Sequence, residues 1–161
     1  MTAQETIQYI TSTAAAGDAT IEMKLEVVRI PVSDVDRAKR FYQSLGWRLD
    51  ADFLFSENER AIQFTPLGSD ASIQFDIGST SDPVSAMLLV VSDIDAARED
   101  LIDRGIDVSG VFHREGADAQ VPGPAPDHAD YGSFAAFRDP DGNTWLLQEV
   151  NTRLPGRTWD E

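Results

Sequence analysis

Val32-Ser33-Asp34-Val35-Asp36-Arg37-Ala38 returns almost unchanged as Val91-Ser92-Asp93-Ile94-Asp95-Ala96-Ala97. Val, Ser, both aspartates and the final alanine are identical, and Val35 against Ile94 is a near match. Each copy follows a strand-like run rich in β-branched residues, Leu25 to Val32 and Ala86 to Val91. Each opens an amphipathic run capped by Ser-Asp, Val35 to Leu45 and Ile94 to Arg104. Each run stops at a glycine, Gly46 or Gly105, 12 residues beyond the first aspartate (34 to 46, 93 to 105). A repeat of strand, cap, helix and stop marks one supersecondary unit written twice, neither copy able to bury both faces of its sheet alone.

Outward from the repeat, three further strands are expected in each half. In the first they are Trp47 to Phe55, Ala61 to Thr65 and Ala71 to Ile77, separated by polar turns. In the second they are Val108 to Arg114, Gly132 to Arg138 and Thr144 to Val150. The segment Glu115 to Asp130 reads as a long proline-rich loop, of a length more often functional than structural. The fold class expected is α+β: two tandem βαβββ modules forming a cupped, mostly antiparallel mixed sheet with helices outside. The divisions are an N-terminal arm (1–22), a first module (23–77), a linker (78–85), a second module (86–151) and a tail (152–161).

Composition narrows the function. Of 161 residues 42% are apolar, enough for a core without staples, and there is no cysteine. Thiol nucleophiles, disulfides and Cys-type metal sites are therefore excluded, and a reducing cytoplasm fits. With 13 basic against 28 acidic residues, the net charge is −15. Such a chain repels nucleic-acid phosphates and anionic lipid heads, so neither is an expected partner. This charge serves solubility first, and its field would secondarily attract a cationic ligand. No stretch approaches the roughly 20 apolar residues of a membrane span, and the N-terminus has no signal-peptide pattern.

Three motifs in order make the chain resemble the vicinal oxygen chelate superfamily of glyoxalases, bleomycin-resistance proteins and extradiol dioxygenases. They are Val32-Ser-Asp-Val-Asp36 with Phe41-Tyr42 and Leu45-Gly46, its repeat at Val91 to Asp95, and the turn Asp139-Pro-Asp-Gly-Asn143 before the last strand. The resemblance covers about residues 23–151. It implies a small-molecule ligand in the cup and a homodimer, since such sheets often complete their cup across two chains.

Metal-using members place His, Glu or Gln at four equivalent points on the first and last strands of each half. Strand alternation carries those points onto Val27, Gln74, Ala86 and Leu146. Three are hydrocarbon, whereas a divalent ion needs three or more N or O donors. No metal and no cofactor are therefore expected. Glu149 falls on the opposite face from Leu146 unless the register slips by one residue.

The candidate ligand-binding residues are Arg29, beside Val27, Gln74, His113 in Phe112-His-Arg-Glu115, and Gln148, beside Leu146. His128, in the proline-rich loop, reads as solvated. Of the aromatics on or beside predicted strands, Phe53, Phe55, Phe64, Phe75, Phe112, Tyr131, Phe134, Phe137 and Trp145, most are expected in the core, Trp145 included, with some of the others walling an apolar pocket. Two functions follow: a metal-free binder of a small, partly apolar ligand, or a superfamily enzyme (lyase, isomerase or dioxygenase) using His113 or Arg29.

Overall fold

The computed structural model describes residues 20–78, 81–117, 119–153, 157 and 159. Residues 1–19 of the expected arm and most of the expected tail lie outside the described residues. The elements run β1 (Val27–Val32), α1 (Val35–Ser44), β2 (Arg48–Ser56), β3 (Glu59–Thr65), β4 (Ser72–Ile77), β5 (Met87–Val91), α2 (Ile94–Asp103), β6 (Phe112–Glu115), β7 (Ala119–Pro122), β8 (Ser133–Arg138) and β9 (Thr144–Glu149). A short 3-10 turn, Pro126–His128, lies between β7 and β8.

Both helices start as their sequences require. The Asp34 carboxylate accepts the Arg37 N–H, and Asp93 accepts that of Ala96, each at 3.0 Å. Each cap satisfies an amide that the first helical turn leaves unpaired. Gly46 (φ 78°) and Gly105 (φ 83°) then turn the chain out through the left-handed region.

The strands form two ladders, ordered β1-β4-β3-β2 and β5-β9-β8-β6-β7. The pairs β1–β4 and β5–β9 are parallel, the chain between the partners running through a helix and then the other strands of the ladder, and the remaining pairs are antiparallel. This is the α+β, two-module arrangement expected from the repeat, with one addition. The segment read as all loop contains β7, which zips against β6 from Phe112↔Pro122 to Glu115↔Ala119. Gly116 (φ 75°) turns this hairpin, and Pro122 sits at the sheet edge, where no ladder N–H is needed. The strand expected from Val108 is shorter, because Val108 makes only an isolated bridge to Phe137 and pairing resumes at Phe112.

One core serves both ladders. Ile30, Val32, Ile62, Phe64, Ile73 and Phe75 of the first join Ala135, Phe137, Trp145 and Leu147 of the second, with Tyr42 of α1 among them. The Tyr42 ring lies 5.5–6.2 Å from those of Phe64, Phe75 and Trp145. Its hydroxyl donates to Asp139 Oδ2 at 2.8 Å and accepts the Trp145 indole N–H at 3.0 Å. Asp139 is only 5% exposed, so its charge needs donors. It receives four: Tyr42, the Asn143 side chain, and the Asp141 and Asn143 amides. Asn143 also donates to the Pro31 carbonyl at 2.9 Å and accepts the Val84 N–H. The Asp139–Asn143 turn is thus bolted to both halves. Burial, and next the Asp139 charge, push the Tyr42 hydroxyl far above the usual tyrosine range, so it stays a proton donor.

A second buried carboxylate ties down the segment after β7. Glu149 is 2% exposed, and its Oε2 accepts the Ile94 N–H at the start of α2 at 2.8 Å. Its Oε1 accepts the His128 Nδ1–H at 2.8 Å. His128 is therefore not simply solvated as expected. The segment is also held by Ala125 N–H on Ser133 Oγ and by Tyr131 N–H on the Glu149 carbonyl, each at 2.8 Å. These bonds hold Asp127 (φ 56°), His128 (φ 49°) and Tyr131 (φ 65°) in left-handed conformations that side chains seldom adopt. The hydrogen bond and then the charge of Glu149 raise the His128 pKa above 6.5.

Two outcomes follow. Tyr42→Phe leaves Asp139 one donor short and the Trp145 N–H unanswered, so it should lower stability by about 1–3 kcal/mol, read from the urea midpoint at unchanged slope; an unshifted midpoint would deny the bolt its importance. A His128 pKa raised by folding means stabilisation present in acid and lost as pH rises through the folded value. The stability difference between wild type and His128→Asn, which tolerates the left-handed backbone, should therefore shrink from pH 6 to pH 9. A difference that grows over that range would show that the imidazolium does not hold Glu149.

Candidate functional site

With Trp145 and Leu147 turned into the core, alternation sends Leu146 and Gln148 to the other face of β9. The register carries that face across the second ladder: Leu146 lies beside Leu88 of β5 and Ala136 of β8, and Gln148 beside Phe134. Phe134 in turn pairs with Phe112 of β6, their rings stacked at 5.7 Å and 26°. Over this face lies a cavity of about 550 Å³. Ala86, Ala136 and Leu146 form its apolar floor, and Val111, Phe112, Val121 and Pro122 wall it. Its polar lining is Ser85, Ser109, Thr144, Gln120 and Arg114. The room exists because two floor positions are alanine, and the β6–β7 hairpin closes one side.

The four sequence-predicted residues divide. Arg29 and Gln74 are register neighbours on one face of the first ladder. Arg29 is largely exposed and pairs with Asp76 at 3.5 Å, while Gln74 donates to the Gln63 amide oxygen at 2.8 Å. Gln148 is on the cavity's face but does not line it, and its amide donates to the Tyr131 carbonyl at 3.1 Å. His113 points away from Phe112 and Arg114, donating from Nδ1 to the Gly123 carbonyl at 2.8 Å. Its Nε2 lies 3.5 Å from Glu115. Among the described residues, no hydrogen bond or ion pair joins Arg29 and Gln74 to Gln148 or His113.

Phe112, one of the strand aromatics considered for the core or for walling a pocket, lines the cavity, and so do Arg114, Gln120 and Val121, which sequence reading did not single out. The signal for Arg114 was present, because it alternates with His113. The other two required β7, whose small residues carry no strand pattern.

Of the four points where relatives carry ligands, Ala86 and Leu146 are in the cavity floor, Val27 is half-buried on β1, and Gln74 is bonded to Gln63. Among the described residues, no three or more His, Asp or Glu side chains converge in a group able to hold a metal ion. Glu149 lies on the core side, its oxygens taken by Ile94 and His128. A second hollow, about 490 Å³, surrounds that pair and is rimmed by Asp93, Asp95 and Glu99.

The first ladder leaves a different surface on β2. Phe53 (59% exposed) and Phe55 (69%), expected in the core, face outward with rings 6.3 Å apart. Asp52 instead takes the helix side, bonded to Lys39 at 2.8 Å and to Arg60 at 2.8 and 2.9 Å. That polar clamp fixes the strand's sidedness and turns the phenylalanines away from the core.

Comparison with solved structures agrees with this architecture. TnmS3, described as an antibiotic binding protein from Streptomyces sp. CB03234, is 31% identical with a TM-score of 0.61, over 82% of this chain and 98% of that one. A glyoxalase/bleomycin resistance protein from the same organism is 32% identical with a TM-score of 0.58, over 78% and 100%. A superfamily member from Sphaerobacter thermophilus DSM 20745 is 26% identical with a TM-score of 0.58, over 80% and 98%. Among curated proteins none matches significantly. The family profile described as Glyoxalase/Bleomycin resistance protein/Dioxygenase superfamily matches residues 24–147. The chain belongs to the glyoxalase/bleomycin resistance protein/dioxygenase superfamily.

Proposed function

We propose that this protein binds a small, partly apolar molecule in the cavity of the second ladder and does so without a divalent metal. The observation that carries this reading is the cavity floor. Ala86 and Leu146 place hydrocarbon where metal-using relatives place ligands, and Ala136, beside Leu146 on β8, leaves room for a guest. Val27 adds a third carbon side chain, so the four points offer one amide, Gln74, and do not fit a divalent ion. Apolar walls with a few polar groups, here one of them the charged Arg114, are the usual make-up of a small-molecule site. The likeness to TnmS3, an antibiotic binding protein, makes antibiotics the first compounds to test.

An enzyme reading has less support. The described cavity lining contains no histidine or carboxylate to move a proton. His113 is committed to the Gly123 carbonyl and Arg29 to Asp76. No helix among the described residues is long and apolar enough to cross a membrane. We place the protein in the cytoplasm, as a homodimer that shields Phe53 and Phe55, with neither nucleic acid nor membrane as partner. An exposed aromatic edge strand of this kind otherwise invites aggregation.

Screening an antibiotic panel by thermal shift, with EDTA or added Mn²⁺ in parallel, tests the reading. A ligand that binds only the folded state raises stability by RT ln(1 + [L]/Kd), about 2.7 kcal/mol at a hundredfold excess over Kd. The expected result is a shift indifferent to EDTA and lost in Ala136→Phe, which fills the cavity. A shift that requires Mn²⁺, or one that survives Ala136→Phe, would contradict it.

A further inference from the structure

We infer that the guest of this cavity is a flat apolar molecule bearing an anionic oxygen, which the Arg114 guanidinium receives. The inference rests on the cavity being the binding site and specifies the chemistry it selects. Among the residues lining the cavity, Arg114 alone carries a charge. That charge is positive in a chain whose net charge is −15, opposite to what the overall balance suggests for a ligand. At physiological salt remote charges are screened over about 8 Å, so the local sign decides.

Arg114 is also uncommitted. Arg29, Arg37, Arg48, Arg60 and Arg104 each pair with an aspartate. Among the described residues Arg114 pairs with no carboxylate. Its neighbour Glu115 turns to the other face and meets His113. The guanidinium lies instead over the Phe134 ring, 5.6 Å from its centroid, which steadies it without using up its N–H groups. A fork held in this way suits a carboxylate or ionised phenol, to which it donates charge-assisted hydrogen bonds. Phe112, which lines the cavity and is stacked on Phe134, offers an aromatic surface to a planar guest. A cationic guest would meet an unpaired like charge and be rejected.

Titration calorimetry with three naphthalenes of similar size tests the proposal: 2-naphthoate, 2-naphthamide and 2-naphthylmethylammonium. Wild type should bind the carboxylate about tenfold or more tighter than the amide, as a charge-assisted bond requires, and the ammonium most weakly. Arg114→Gln should collapse the carboxylate-to-amide ratio to within about twofold, and Arg114→Lys should recover part of it, since a point charge replaces a fork. Ala136→Phe should weaken every probe. Equal binding of all three, a preference for the ammonium, or a carboxylate preference that persists in Arg114→Gln overturns the ligand chemistry and leaves cavity binding standing. Failure of all three to bind, or binding indifferent to Ala136→Phe, overturns both.

Discussion

A buried carboxylate holds this molecule together. Asp139 sits almost out of reach of water, and its charge is tolerable only because donors from both halves of the chain converge on it. Tyr42 comes from the first helix, Asn143 from the turn before the last strand, and Asn143 also holds the carbonyl of Pro31. The pairing of α1 with β9 follows, Tyr42 against Trp145, and it fixes which face of β9 is core. Everything on the other face, from Leu146 to the Phe112–Phe134 stack, is positioned by that choice.

The cavity is then a matter of side-chain size and chemistry on a fixed frame. Alanine at two floor positions creates volume, and leucine at a third excludes the donor that would recruit an ion. A scaffold that elsewhere carries metal chemistry here presents carbon, neutral polar groups and one guanidinium. Polar work is done on the core side instead. Glu149 spends both oxygens on the start of α2 and on His128, and so holds the strained segment after β7.

How much of this was legible depends on distance along the chain. The helix starts, their caps and their glycine stops are local, and the sequence repeat displayed them twice. Sidedness on β1 and β9 followed from alternation, which placed Val27, Leu146 and Glu149 on their faces. The unread parts were those set by partners far apart in sequence. Phe53 and Phe55 look like core residues until Asp52 is seen bonded to Lys39 and Arg60 on the helix side. His128 looks solvated until Glu149, 21 residues on, is found beneath it. Strand β7 was hidden because Ala119-Gln120-Val121-Pro122 pairs by virtue of the adjoining turn rather than its own propensity. With β7 unseen, attention fell on His113 rather than on its neighbour Arg114, although one step of alternation separates their faces.

The most direct measurement is a methyl-labelled NMR titration of the full chain with a bound ligand and, separately, with Mn²⁺. The methyl groups of Ala86, Ala136 and Leu146 should shift when the ligand binds, while Mn²⁺ leaves their signals sharp. Methyl signals on that floor that broaden with Mn²⁺ at stoichiometric amounts, or that ignore a bound ligand, would contradict a metal-free site built on carbon.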